Sequence, residues 1–246
     1  MSAHAVVDRL DELAGTAPLP SGRAALFDVD ETLISTKSMF DFLAFHLREA
    51  GRPRAELDRI LAEFAAFAAG GGPREEGNRR FYRIFTGCDW DVLLEQGRRW
   101  FAERLSTAAL LHPPVAQLLR AHVSCGDTVV LVSGSFQACL EPLAAHLGVG
   151  HVLCSRPEVA GGRVTGEVAV PMIGAHKADA ARRLLAELGV RRSATWAYAD
   201  HGSDLQLLEL AGHPVAVGDE PAVRSYVERS GGMVLSGIQR LEYPRW

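Results

Sequence analysis

The sequence is poor in three things: paired cysteines, clustered positive charge and long apolar runs. Its four cysteines, Cys88, Cys125, Cys139 and Cys154, are scattered with no C-x-x-C pair. That spacing argues against a disulfide framework or a thiolate zinc site and for small buried hydrophobes. Lys and Arg number 26 against 30 Asp and Glu, a net charge of −4, and no basic run interrupts the chain. Binding a phosphate backbone needs a clustered positive face, so nucleic acid is not an expected partner. No window approaches the roughly 18 consecutive apolar residues of a membrane span, so no membrane partner is expected either. Residues 1–22, MSAHAVVDRLDELAGTAPLPSG, lack the cationic start and long apolar stretch of a signal peptide. They read as a short amphipathic helix and a Pro/Gly linker. A reducing cytoplasm is the location these absences leave.

What remains is ordinary globular material, 246 residues of which 48% are hydrophobic, enough for one large core or a core plus a smaller domain. RAALFDV, residues 23–29, reads as a buried strand running into the acids Asp28, Asp30 and Glu31. From Ser38 to Trp100 aromatic and Ala/Leu-rich stretches recur at helical spacing. Ser38 is the expected N-cap and Gly51 the stop of the first helix, and GGGP at 70–73 breaks the run. After His112-Pro113-Pro114 strands and helices alternate, with a hairpin over 156–170 that turns at Gly161-Gly162. Alternation implies right-handed βαβ crossovers and a mainly parallel sheet. The expected architecture is thus a doubly wound, Rossmann-like α/β core formed by 23–36 and 107–246, interrupted by a helical cap over 37–106.

In such sheets ligands bind beyond the carboxyl ends of the strands. Three predicted strands end there in polar clusters: Asp28/Asp30, Ser133-Gly134-Ser135, and Asp200/Ser203/Asp204. Lys177 opens the helix after the hairpin. Asp28 and Asp30 can share a pocket if the chain leaves the strict pleat, and Asp200 and Asp204 are four apart where the chain turns into a helix. Like charges this close repel, so a cation or a reacting group is expected among them. The oxygen-rich set suits magnesium, which favours few carboxylates plus waters and a phosphate. Ser133 and the amides around Gly134 can hold phosphate oxygens, and Lys177 adds a point charge for a transferring phosphoryl group.

FDVDETL, LVSGS, Lys177 and YADHGSDLQLL, in that order, resemble the four motifs of the haloacid dehalogenase superfamily phosphatases. The resemblance runs from about Ala24 to Val217 and is nearest to the phosphoserine-phosphatase-like branch, which carries a small helical cap between the first two motifs. It implies a magnesium-dependent phosphatase acting on a small phosphorylated metabolite through an aspartyl-phosphate. Asp28 matches the nucleophile and Asp30 the general acid/base, a residue the dehalogenases themselves lack. Thr32 matches the loop-bracing threonine, Ser133 the phosphate-binding hydroxyl, and Lys177 the lysine that steadies nucleophile and phosphate. Asp28, the main-chain carbonyl of Asp30, Asp200 and Asp204 match the metal shell.

The chain departs from that pattern in two places. His201 and Ser203 stand where many relatives carry Gly and Asn. Lys37, nine residues after Asp28, stands where phosphoserine phosphatases place a Glu for the substrate ammonium. A lysine there would repel that group, so an anionic or hydroxyl-rich leaving group is expected instead. In the cap, Arg83 stands where the resemblance implies an arginine facing the substrate, with Arg79 and Arg80 nearby and a solvated helix face as the alternative for all three, and Met39 and Phe40 are candidates for the pocket mouth. Phe40, Phe42, Phe45, Phe64 and Phe67 are expected in the cap core, and His176 as a surface or capping residue. Two alternatives stay open: a phosphotransferase or mutase using the same intermediate, and a non-catalytic protein that binds a phosphorylated ligand.

Overall fold

Every residue of strand β1 (Ala24–Asp28) is buried, and the rest of the molecule is arranged about it. A computed structural model of the chain describes residues 22–107 and 110–239. The expected N-terminal helix and linker lie outside the described residues. Beside β1 stand β2 (Thr128–Ser133), β3 (His151–Cys154), β6 (Thr195–Ala199), β7 (His213–Val217) and β8 (Met233–Leu235). All six run parallel in the order β3–β2–β1–β6–β7–β8. The expected α/β, Rossmann-like fold is present. Strand β8, too short to announce itself in the sequence, extends it at one edge.

Chain order runs outward from β1 through β2 to β3, then returns to the other side of β1 at β6. The topological switch point, where such sheets bind ligands, therefore lies between β1 and β6. Register places the functional candidates at that crevice: Phe27 pairs with Tyr198 and Asp28 with Val132. Asp28 thus ends its strand one residue past the Phe27–Tyr198 pair, and Asp200 follows Tyr198 by two.

Alternation along β1 feeds two separate apolar faces, as buried strands require. Ala24 and Leu26 join Val130, Val132, Ala197, Ala199 and Ala216 beneath α7 (Ala175–Glu187), α8 (Leu205–Glu209) and α9 (Pro221–Arg229). Ala25 and Phe27 join the opposite face with Leu118 of α5 (Pro113–Ser124) and Leu140 of α6 (Gln137–Leu147). Phe27 stacks on Tyr198 there, ring centroids 4.2 Å apart.

Between β1 and β2 the chain forms α1 (Ser38–Glu49), α2 (Arg54–Ala69), α3 (Arg74–Arg83) and α4 (Trp90–Thr107). Entry and exit of this segment run side by side: Ser35 N–H donates to Leu110 O, and His112 N–H to Leu33 O. The N-cap of α1 is Lys37, without a side-chain cap, so the expected capping role of Ser38 is corrected: Ser38 is the first helical residue. Its hydroxyl turns to the core instead, donating to Ser135 Oγ at 2.8 Å. Phe42 and Phe45 are buried while Phe40 and Phe64 are partly so. Phe67 lies under the Arg80 guanidinium, 4.0 Å from ring centre to carbon. The antiparallel hairpin of β4 (Pro157–Ala160) and β5 (Arg163–Val168), turning at Gly161-Gly162 as expected, attaches to the same helices. Gly87 N–H donates to Val164 O and Trp90 N–H to Gly162 O.

The helices do not form a core of their own. Phe42, Phe81, Phe85 and Trp100 belong to the same continuous cluster as Phe27 and Phe136. Helix α4 crosses α6 at Gly97, where a Cβ would stand 1.8 Å from Ala138 O. Asp41 of α1 accepts from Trp100 Nε1 at 3.0 Å and pairs with Arg104, closing α1 on α4 with its charge matched. Replacing Gly97 by Ala forces backbone apart at that crossing. Gly97→Ala is expected to destabilise by about 2–3 kcal/mol in urea unfolding, whereas Gly150→Ala, which meets nothing within 4 Å, stays within about 0.5 kcal/mol of the parent.

Candidate active site

The turn after β1 explains how two acids two residues apart reach one pocket. Val29 O accepts N–H groups from Thr32, Leu33 and Ile34 at 3.3, 2.9 and 3.0 Å. This tight coil carries Glu31 at φ 63°, a left-handed conformation that costs a non-glycine residue about 1 kcal/mol or more. The coil takes Asp30 off the pleat and returns Thr32 to Asp28. Thr32 Oγ1 donates its one hydrogen between Asp28 Oδ2 at 2.9 Å and Asp200 Oδ1 at 3.1 Å.

Lys177, in the first turn of α7, is buried with its ammonium 2.5 Å from Asp28 Oδ1 and 2.8 Å from Asp204 Oδ1. Oxygens of Asp28, Asp200 and Asp204 lie within 4.8 Å of one another. Three carboxylates against one ammonium leave two negative charges, which a divalent cation would match, and the hard oxygen donors fit magnesium or calcium rather than a softer ion. The Asp30 carboxylate is not part of this set. It accepts from Ser38 N–H at 3.1 Å, at the start of α1. Ser133, at the end of β2 and 1% exposed, accepts from Ser135 N–H at 3.1 Å. Its hydroxyl proton is left for another acceptor.

Electrostatics follow from this burial. Desolvation pushes Asp28 up, opposed by the Lys177 charge and aided by that of Asp204. Desolvation also raises Asp30 to about 7, against the stabilising Ser38 hydrogen bonds, and raises Asp200 to about 7 with help from the Asp28 charge. For Lys177 desolvation acts downward, but the two carboxylates outweigh it and hold the ammonium more firmly protonated than a free lysine.

Other candidates fall outside the cluster. Lys37 is exposed, with its ammonium 4.0 Å from Glu31 Oε2. Arg83 lies on the outer side of α3, paired with Glu76 at 3.3 Å beside Arg80, and the structure does not bring it to the carboxylates. Arg79 bonds the carbonyls of Val168 and Ala169. The side of α3 that does meet the site carries Arg74, Asn78 and Tyr82, residues that sequence reasoning passed over. Arg74 reaches the ring of His201 at 3.2 Å, and Asn78 and Tyr82 both reach Gly134 O. Their four-residue spacing was the available signal. Arg83 is one residue off that stripe. His201 Nδ1 accepts from Ser203 N–H at 3.0 Å and shapes the turn. His176 is half-exposed, 3.8 Å from Glu75.

A carboxyl raised in the folded state holds a proton that the unfolded chain has lost, so its stabilisation is present at low pH and disappears as pH climbs to about 7. In metal-free protein Asp200→Asn is therefore expected to gain on the parent by on the order of 2 kcal/mol between pH 5 and pH 8, read from thermal melts in chelator. An unchanging difference would contradict the crowding of Asp200 by Asp28.

Comparison with known proteins supports one family. Residues 25–209 match the model for haloacid dehalogenase-like hydrolases. A protein of Mycobacterium tuberculosis named as a probable phosphatase is 34% identical over 226 residues, 90% of this chain and 77% of that one. Phosphoserine phosphatase SerB2 of the same organism is 28% identical, over 85% of this chain and 47% of its own length. A solved protein of unknown function from Bordetella pertussis superposes with a TM-score of 0.75 at 26% identity, over 87% of this chain and 98% of that one. With the motifs placed at the switch point of the sheet and the match extending over most of its length, this chain belongs to the haloacid dehalogenase-like hydrolases.

Proposed function

We propose that the protein is a magnesium-dependent phosphatase that hydrolyses a small phosphomonoester through an aspartyl-phosphate on Asp28. The observation that carries this reading is the grip on Asp28. Lys177 and Thr32 each hold one of its oxygens, which orients the carboxylate and favours its ionised form against the burial that raises its pKa. Asp28, Asp200 and Asp204 would hold the magnesium ion, with the carbonyl of Asp30 as a further ligand. Bound there, it would supply positive charge to the crowded carboxylates and the phosphoryl oxygens.

Chemistry then falls to the side chains. Ser133 donates its hydroxyl to a phosphoryl oxygen and Lys177 balances charge on the phosphoryl group as it moves. Asp28 attacks phosphorus in line with the leaving oxygen, forming a bond from its carboxylate oxygen to phosphorus as the ester bond breaks. Asp30, raised to about 7, carries a proton to give to the leaving alkoxide. Ionised by that transfer, it takes a proton from water as the water oxygen attacks phosphorus and releases Asp28 and inorganic phosphate. The helices between β1 and β2 act as a cap that excludes bulk water from this exchange.

Lys37 bears on the leaving group. Its exposed ammonium stands beside Glu31, next to Asp30, and favours an anionic or hydroxyl-rich leaving group over the ammonium of phosphoserine. The test is phosphate release from a panel of phosphoserine, amino-alcohol phosphates, sugar phosphates and an aryl phosphate, with magnesium and with chelator. Turnover is expected only with magnesium, and Asp28→Asn is expected to lower it at least about ten-thousand-fold. Turnover retained by Asp28→Asn would overturn the reading.

A further inference from the structure

The carbonyl of Gly134, at the centre of the Ser133-Gly134-Ser135 loop, accepts two hydrogen bonds from a single helix. Asn78 Nδ2 donates at 2.8 Å and Tyr82 Oη at 3.2 Å. The two donors are one turn apart on α3 and both are buried. Each is fixed in turn. Asn78 Oδ1 accepts from Ser155 Oγ at 3.2 Å, Ser155 Oγ accepts from Met172 N–H at 2.8 Å, and Ser155 N–H donates to Ser135 O at 3.0 Å. The Tyr82 ring stands edge-on to Phe81 and Phe136, centroids 5.5 and 5.4 Å away. Burial pushes its phenol well above the usual range, so it stays a protonated donor.

Gly134 C=O and Ser135 N–H belong to one planar peptide, in which the two bonds point in opposite directions. Fixing the oxygen against α3 therefore aims the N–H the other way, where it meets Ser133 Oγ at 3.1 Å. Ser133 Oγ accepts that bond, so its own proton points elsewhere. From the far side Ser38 Oγ donates to Ser135 Oγ, and the loop cannot rotate about its second serine either.

We propose that Asn78 and Tyr82 are positioning residues for the phosphoryl group: by clamping the Gly134 carbonyl from the helical segment, they hold the Ser135 amide against Ser133 Oγ and so aim the Ser133 hydroxyl at phosphate. The proposal rests on the phosphatase reading. It makes phosphate affinity depend on two side chains that touch no substrate, and it ties the seating of α3 to the loop that receives the phosphoryl group. Because one carbonyl has two donors, losing either leaves the other in place.

The experiment is a titration of inorganic phosphate into the magnesium-loaded protein by calorimetry, for the parent, Asn78→Ala, Tyr82→Phe and the double variant, beside aryl phosphate turnover and thermal melts. Each single change is expected to weaken phosphate binding about 3- to 10-fold, and the double change by more than the product of the two. The ratio kcat/KM falls in parallel. Tyr82→Phe keeps the ring and its packing, so it reports the hydroxyl even if Asn78→Ala folds poorly. Variants that melt lower yet bind phosphate and turn over like the parent would overturn the proposal, leaving the clamp as scaffold alone. A parent that binds phosphate but hydrolyses nothing would sink the phosphatase reading while the variants still decide this one. A parent that binds no phosphate would overturn both.

Discussion

One buried ammonium, Lys177, bridges Asp28 and Asp204 at 2.5 and 2.8 Å, and most of the architecture can be understood from what that contact requires. Three carboxylates in a largely dry crevice repel each other strongly, and removing any one compensating charge would leave an uncompensated group whose burial costs several kcal/mol. The scaffold answers with rigidity. A parallel sheet buried on both faces supplies strand ends whose positions are set by the ladder, and the switch between β1 and β6 opens a crevice where Asp28 and Asp200 approach. Helix α7 brings Lys177 over the edge, and the alanines Ala24, Ala197, Ala199 and Ala216 keep that face of the sheet thin. The charge left over suits a divalent cation, so the proposed magnesium ion and the fold answer the same electrostatic problem.

The helical segment contributes more than a cover. Its aromatic residues merge with those of the sheet face in one cluster, and its polar residues end on the two loops that matter for the proposed chemistry. Ser38 holds Asp30 through its N–H and Ser135 through its hydroxyl. Asn78 and Tyr82 hold Gly134. Ser38 opens α1, whereas Asn78 and Tyr82 lie one turn apart in the middle and at the end of α3. The packing that stabilises these helices is therefore the same packing that aims Asp30 and the phosphate loop.

Much of this was legible in the sequence because its signals are local. Asp28, Ser133 and Asp200 each follow an apolar run of strand length, and Lys177 follows a glycine at a helix start. The hairpin was marked by Gly161-Gly162, both at positive φ. What was not legible depends on approach in three dimensions. Ser38 has the composition of an N-cap, but the helix begins one residue earlier and frees its hydroxyl for Ser135. Arg83 is a plausible substrate contact by charge, yet a helix turns 100° per residue and that rotation puts it with Glu76 and Arg80 on the outer side. Asn78 and Tyr82 carry no charge and no motif, and only the position of Gly134 gives them a role. Strand β8, three residues long, is too brief for a period-two pattern.

The central claim is that phosphorus passes through Asp28. The most direct test is to quench the magnesium-loaded enzyme in acid during turnover of its preferred phosphomonoester, digest it, and locate any added phosphoryl group by mass spectrometry. The account predicts the mass of one phosphoryl group on the peptide carrying Asp28. With an aryl phosphate, whose leaving group needs little protonation, that mass should build up in Asp30→Asn, where water lacks its base but Asp28 keeps its grip from Lys177. Turnover with no phosphorylated peptide, in either the parent or Asp30→Asn, or a phosphoryl group on any other residue, would contradict it.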